Sequence, residues 1–287
     1  MGQITPQLVK DLRVKTGAGM GDCKKALVES NGDLQEAIDF LRKKGAASMA
    51  KRADRAAKEG MVIARTDKNG KNAVIVEINC ETDFVALNEA FVTYCGIVAD
   101  AIENNDVKSV EDLLKISVDG DSIEELHNDI LAKFSEKIES RRFKKLATEG
   151  VFSTYNHSNN KLGVLVEMST DGLGEPSKAL VHDITMQIAA MNPLYISKED
   201  VPQTDIDKEI EIYNDAAVLE GKKPELAERI ATGKIAKFYK DQCLVQQVYV
   251  KDSGKTIADV VKEISDDSGK EVSVKSFSRF MFGESLD

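Results

Sequence analysis

EGMVIARTDKNGKNAVIVEI, residues 59–78, and EGVFSTYNHSNNKLGVLVEM, residues 149–168, decide how the chain is read. Each reads as two strand-like runs about a short polar turn. In the first the runs are MVIART and AVIVEIN around Asp67-Lys68-Asn69-Gly70, a β-hairpin signal. Laid over each other without gaps, the stretches are identical at seven of twenty positions: Glu59/Glu149, Gly60/Gly150, Asn69/Asn159, Lys71/Lys161, Val74/Val164, Val76/Val166 and Glu77/Glu167. A helical pattern follows each one. Leu87, Phe91, Tyr94, Val98 and Ile102 line one face after the first; Pro176 opens a second pattern carrying Leu180, Ile184, Ile188 and Met191. A strand–strand–helix unit that occurs twice predicts an α+β fold with two similar halves.

Outward from this pair, the first 45 residues read as three short helices. Thr5-Pro6 is a helix start, the TGAGM segment breaks the first helix, and Asn31-Gly32 ends the second. Asp33 with Glu36 resembles a capping box ahead of Leu34, Ala37, Ile38 and Leu41, and Gly45 is the expected stop. Residues 46–58 then suit a helical linker, 59–147 form the first half of the core, and 148–287 the second. Residues 109–147 read as charged and helical, with Ile123, Leu126, Ile130 and Phe134 as a stripe. A helical hairpin is expected at about 202–241, with Ile206, Ile210, Tyr213 and Ala217 on one arm and Leu226 and Ile230 on the other. The terminal VSVKSFSRFMF alternates like a strand, with Phe277 on one face and Phe280 and Phe282 on the other, and should complete a sheet.

Composition narrows the function classes. Of the 287 residues, 39 are Lys or Arg and 49 Asp or Glu, for a net charge of −10. Residues 1–58 nevertheless hold twelve basic and seven acidic side chains, so a basic head sits on an acidic body, as if the two ends face different surfaces. Nucleic acid is not expected as the main ligand, since phosphate binding needs a concentrated basic face. No apolar run approaches the ~20 residues of a membrane helix, and the N-terminus has neither signal- nor transit-peptide character, so a cytoplasmic protein without a membrane partner is expected. Cys23, Cys80, Cys95 and Cys243 form no C-x-x-C pair, and buried thiols are expected rather than zinc ligands or disulfides.

Catalytic motifs are missing, and no cofactor, metal or catalytic residue is expected. The sequence from Gly172 to Ala179 approaches a phosphate loop, but it has Ser177 before the lysine and Ala179 after it, so it reads as a turn capping a helix. A hydrolase using His157 or His182 would need partners that no motif supplies. The segment Cys80-Glu81-Thr82-Asp83-Phe84-Val85-Ala86-Leu87-Asn88 admits two readings. With a helix from Thr82 or Asp83, Phe84 joins the buried stripe, which spacing prefers. With Asn88 as the N-cap, Phe84 and Val85 project from a loop tip as an apolar anchor for a partner.

Three strings carry a resemblance. KTGAGMGDCKKAL (15–27), NCETDFVALNEAF (79–91) and GKKPELAERIATGKIAKFYKD (221–241), in this order and with the KLGVLVEM strand, resemble bacterial elongation factor Ts. The resemblance implies a ubiquitin-associated-like three-helix N-terminal domain, a duplicated α+β core and a helical hairpin. It also implies a guanine nucleotide exchange factor that binds the GTPase elongation factor Tu and loosens GDP by disturbing the magnesium and phosphate site. By that resemblance Thr82, Asp83, Phe84 and Val85 form the inserted loop, which favours the exposed reading of Phe84. Met20, Lys24 and His157 are implied as further partner contacts; the apolar seam of the hairpin admits packing within the chain, against the partner, or across a two-fold axis in a homodimer or two-to-two complex. An adaptor that binds without promoting exchange is the rival reading. Gly21 departs from the family pattern where methionine is frequent, as do Gln246 and Val248 in LVQQVYVKD. The chain stops soon after RFMFGES, so a further C-terminal helix found in some relatives is expected to be absent.

Overall fold

The computed structural model describes residues 4–52, 55–158 and 160–285; Asn159 of the repeat comparison and residues 53–54 of the expected linker lie outside them. Helices α1 (Pro6–Thr16), α2 (Met20–Glu29) and α3 (Leu34–Arg52) come first. The Thr5 hydroxyl accepts from Leu8 N at 3.1 Å, and Gly17 closes α1 at φ 67°, a left-handed cap that glycine adopts freely. Val9, Leu12, Cys23, Ala26, Leu27, Ala37 and Leu41 are buried together. Gly45 does not stop α3: the helical backbone runs through it to Arg52. One glycine inside a helix costs only about 1 kcal/mol, which the strong formers around it offset.

The core starts with β1 (Glu59–Thr66) and β2 (Asn72–Cys80), followed by α4 (Asp83–Ala86), α5 (Glu89–Asn104), α6 (Val110–Leu114), the short pair β3 (Ser117–Val118) and β4 (Asp121–Ser122), α7 (Ile123–Phe134) and β5 (Ile138–Ala147). It continues with β6 (Val151–His157), β7 (Leu162–Met168), α8 (Glu175–Met191), the hairpin α9 (Gln203–Leu219) and α10 (Pro224–Gln242), then α11 (Ile257–Ser268) and β8 (Val274–Met281). Two three-stranded antiparallel sheets result, ordered β1-β2-β5 and β6-β7-β8.

Each sheet has its hairpin's second strand at the centre, and the two match in detail. The ladder shifts register between Glu77 and Ile78 in one sheet and between Glu167 and Met168 in the other. A Cβ on Gly60 would lie 2.2 Å from the Ile78 carbonyl oxygen, and one on Gly150 1.8 Å from that of Met168, so neither position admits a side chain.

The sheets face each other, with Val62, Ala64, Ile75, Phe152, Leu165 and Phe280 buried between them. The opposite face of the first sheet packs on α5, and that of the second on α8 and α11. This helix–sheet–sheet–helix layering explains why AVIVEIN is apolar almost throughout: it is covered on both sides. At the seam the Asn156 amide donates to Ala64 O at 2.7 Å and accepts from Ala64 N at 2.8 Å, while Val62 N donates to Asn160 O at 2.7 Å.

Several expectations are corrected. Residues 138–147 are strand, not helix: IESRRFKKLA is too charged to look like one, because β5 buries only Ile138 fully and turns its arginines to the buried Glu77. Leu87 and Met191 leave their stripes for solvent. In the hairpin, Ala217 is buried as expected, but α10 buries Ala227, Ala231, Ile235 and Phe238 while Leu226 stays exposed. The terminal strand β8 completes the second sheet with Phe280 between the sheets and Phe277 on the other face, and all four cysteines are buried free thiols.

Candidate functional site

The turn between β2 and α5 is built from two caps six residues apart. Thr82 is the N-cap of α4, its hydroxyl accepting from Val85 N at 3.4 Å; Asn88 is the N-cap of α5, its side-chain oxygen accepting from Ala90 N at 3.0 Å. Because α4 ends at Ala86, the helical phase is broken before Phe91. Phe84 therefore falls outside the buried stripe and is 84% exposed, with Leu87 beside it 65% exposed. The reading that spacing preferred is overturned, since it assumed one continuous helix. The loop-tip reading is corrected too: Val85 is 5% exposed and packs with Cys80, Ala86 and Phe91 in the core. Asp83 is exposed in the first turn of α4, where a carboxylate suits the positive end of the helix.

The turn is held from behind by the residues that follow α7. Glu136 accepts from Thr82 N at 3.0 Å and from the Thr82 hydroxyl at 2.7 Å. Reciprocally, Glu81 accepts from Lys137 N at 2.5 Å and pairs with Arg55 at 3.2 Å. Burial pushes the Cys80 thiol up to about 12, the Glu136 carboxylate adding to the shift, so this sulfur stays protonated. Beside the turn, a groove of about 510 Å³ runs between α5 and α7, lined by Glu89, Thr93, Ile97, Asp129 and Lys133 among others.

The other sequence-selected residues sit on separate elements. Met20, half exposed, and Lys24, exposed, follow each other one turn apart on α2, and Val28 extends their stripe. Nothing lies within 4 Å of a Cβ on Gly21, so this face could carry a larger side chain. The three-helix unit rests on α7, with Arg42 making a two-pronged contact to Asp129 at 3.1 and 3.2 Å. His157 ends β6 in the second sheet, exposed, with Nδ1 2.7 Å from the Tyr155 hydroxyl; His182 meets the Tyr155 ring edge-on. Gly174 caps α8, as the turn reading of Gly172 to Ala179 expected.

Comparison with known proteins now decides the family. A family model described as elongation factor TS matches residues 81–284. An elongation factor Ts from Clostridium perfringens is 43% identical over 286 residues, covering 99% of this chain and 94% of its own. The chain belongs to the elongation factor Ts family. The Ts factors of Clostridium novyi and Symbiobacterium thermophilum are 42% and 43% identical, over 99% and 100% of this chain and 94% of each of theirs. The elongation factor Ts family match opens at Glu81, beside the capped turn, and these relatives extend the similarity through the three N-terminal helices. Among the described residues no helix is long and apolar enough to cross a membrane.

Proposed function

We propose that this protein is a guanine nucleotide exchange factor of translation elongation that binds elongation factor Tu and promotes release of GDP. One observation carries the reading: Phe84 is held almost fully in solvent on a capped, core-anchored turn. An aromatic ring left in water on a rigid support is an anchor awaiting a pocket. Phe84 and Leu87 supply the apolar insertion, and Val85 fastens the turn to the core. Asp83 brings a negative charge to the site of the bound magnesium, whose loss weakens nucleotide binding because the ion bridges phosphate oxygens.

Such a factor acts by differential binding and needs no catalytic group. It must prefer the nucleotide-free GTPase, and nucleotide must weaken its binding by the same factor. A ten-thousand-fold loosening takes about 5.5 kcal/mol of preference. Met20 and Lys24 on the N-terminal helices and His157 on the second sheet are the further contacts in this reading, which lets one factor hold its partner at separated surfaces.

The same reading takes 1–45 as a ubiquitin-associated-like domain, 46–58 as a linker, and 59–147 and 148–287 as core halves of duplicated origin, working in the cytoplasm. The matched register shifts and crowded glycines support the duplication. The test is release of a fluorescent GDP analogue from elongation factor Tu. Phe84→Ala should slow catalysed release by about tenfold or more. An unchanged rate sinks the wedge, and wild-type binding without acceleration of release makes the protein an adaptor.

A further inference from the structure

We propose that Glu136 is the positioning residue of the exchange wedge: it sets the direction of Phe84 by clamping Thr82, and it does so from the turn that ends the helix carrying the N-terminal domain. The inference rests on the exchange reading above. A four-residue helix has almost no stability of its own, so α4 must take its orientation from outside contacts. Phe84 contributes none of these, being exposed.

Burial of Val85 and Ala86 anchors the C-terminal end of α4 in the core, and the Cys80 thiol donates to Thr82 O at 3.2 Å. Glu136 fixes the other end with two hydrogen bonds from one residue, Thr82 N at 3.0 Å and the Thr82 hydroxyl at 2.7 Å. Two charge-assisted bonds to one carboxylate define an orientation as well as a distance.

The hydroxyl bond has a second effect. By donating its proton to Glu136, Thr82 keeps its oxygen lone pairs for Val85 N, the one side-chain cap of α4. Without the carboxylate, the Thr82 N–H loses its acceptor in a half-buried place, and the hydroxyl is free to turn away from Val85. The wedge would survive as a chain segment but lose its aim.

Placement adds a route. Ser135, at φ 58°, ends α7, and Glu136 follows at once. Helix α7 also receives Arg42 from α3 at Asp129, and the Lys133 side chain lies against Gly17 at the end of α1. The clamp on the wedge and the seat of the three-helix unit are thus parts of one helix and its cap.

The experiment measures release of a fluorescent GDP analogue from elongation factor Tu by the full-length protein, as a cycle of Glu136→Ala and Phe84→Ala with the double variant. Glu136→Ala should slow release roughly tenfold while Phe84 is present, since a small misplacement of a working group is that costly, and should have no further effect in the Phe84→Ala background. Glu136→Gln, which keeps one acceptor, should recover part of the rate, and it also serves if the alanine variant folds poorly by circular dichroism. A wild-type rate for Glu136→Ala, or the same slowing with Phe84 already removed, overturns the proposal. A neutral Phe84→Ala would remove the wedge and this inference together, whereas a slow Phe84→Ala beside a wild-type Glu136→Ala removes only the inference.

Discussion

After β2 the chain reaches its helix through a doubly capped turn that turns two large apolar side chains to solvent; after β7 it reaches its helix through a stretch whose one large apolar side chain is buried. In the second connection Leu173 is buried, and Asp171 pairs with Lys71 at 2.8 Å across to the other hairpin. In the first, Phe84 and Leu87 face water. The sheets before these connections agree in strand order and in the place of the register shift. The contrast teaches where two similar sheets can differ: the central strands are held by packing on both faces, so the segment that leaves each of them is the one free to vary.

The central glutamates offer the harshest way to break the comparison. Glu77 is fully buried between Arg141 at 3.0 Å and Arg142 at 2.6 Å, whereas Glu167 accepts from the hydroxyls of Thr148 and Ser276 at 2.7 and 2.8 Å. Glu77→Ala leaves two half-buried guanidinium groups short of a partner and should cost about 3–5 kcal/mol. Glu167→Ala should cost about 1–3 kcal/mol in the same urea titration. Equal costs would show that the two sheets use this position alike.

Acid separates the halves next. His127 on α7 is buried against the Tyr94 hydroxyl at 3.0 Å, and burial holds its pKa down at about 4 against 6.5 for the free side chain. Between those values the unfolded chain takes up a proton that the folded one refuses. Stability is therefore complete above pH 6.5 and falls as the pH drops towards 4, by about 3 kcal/mol over the window. Denaturant midpoints from pH 7 to 4 should fall in the wild type and flatten in His127→Gln; parallel curves would refute the assignment.

The turn at Phe84 gives the finest contrast. Val85→Ala should destabilise by about 1.5–3 kcal/mol, because it removes buried methyl groups. Phe84→Ala, one residue away, should stay within about 0.5 kcal/mol of wild type in thermal unfolding while reducing exchange. A destabilised Phe84→Ala would mean that the ring packs on the protein and is not presented to a partner.

Much of this was legible in the sequence, for physical reasons. The first hairpin announces itself because β2, covered on both faces, is apolar almost throughout and Asn69-Gly70 marks its turn; the second shows through its likeness to the first. Strand β5 does not announce itself, since it buries only Ile138 fully and its arginines answer a buried carboxylate 64 and 65 residues away. Phe84 misleads on spacing because Leu87 and Phe91 continue a helical period that Asn88 interrupts. The readable clue was a pair of cap residues, Thr82 and Asn88, each followed by an acid. Glu136 carries no local sign at all: it lies 54 residues from Thr82, and only the fold brings them together.

The seam contact of Asn156 has a consequence beyond joining the sheets. Strand β1 ends its sheet, so its outer donors and acceptors would be open to pairing with a strand from another molecule. The Asn156 amide occupies Ala64 on both its N–H and its carbonyl, and Asn160 takes the N–H of Val62. One side chain and one main-chain carbonyl from the second sheet thus fill positions on this edge that a further strand would otherwise take.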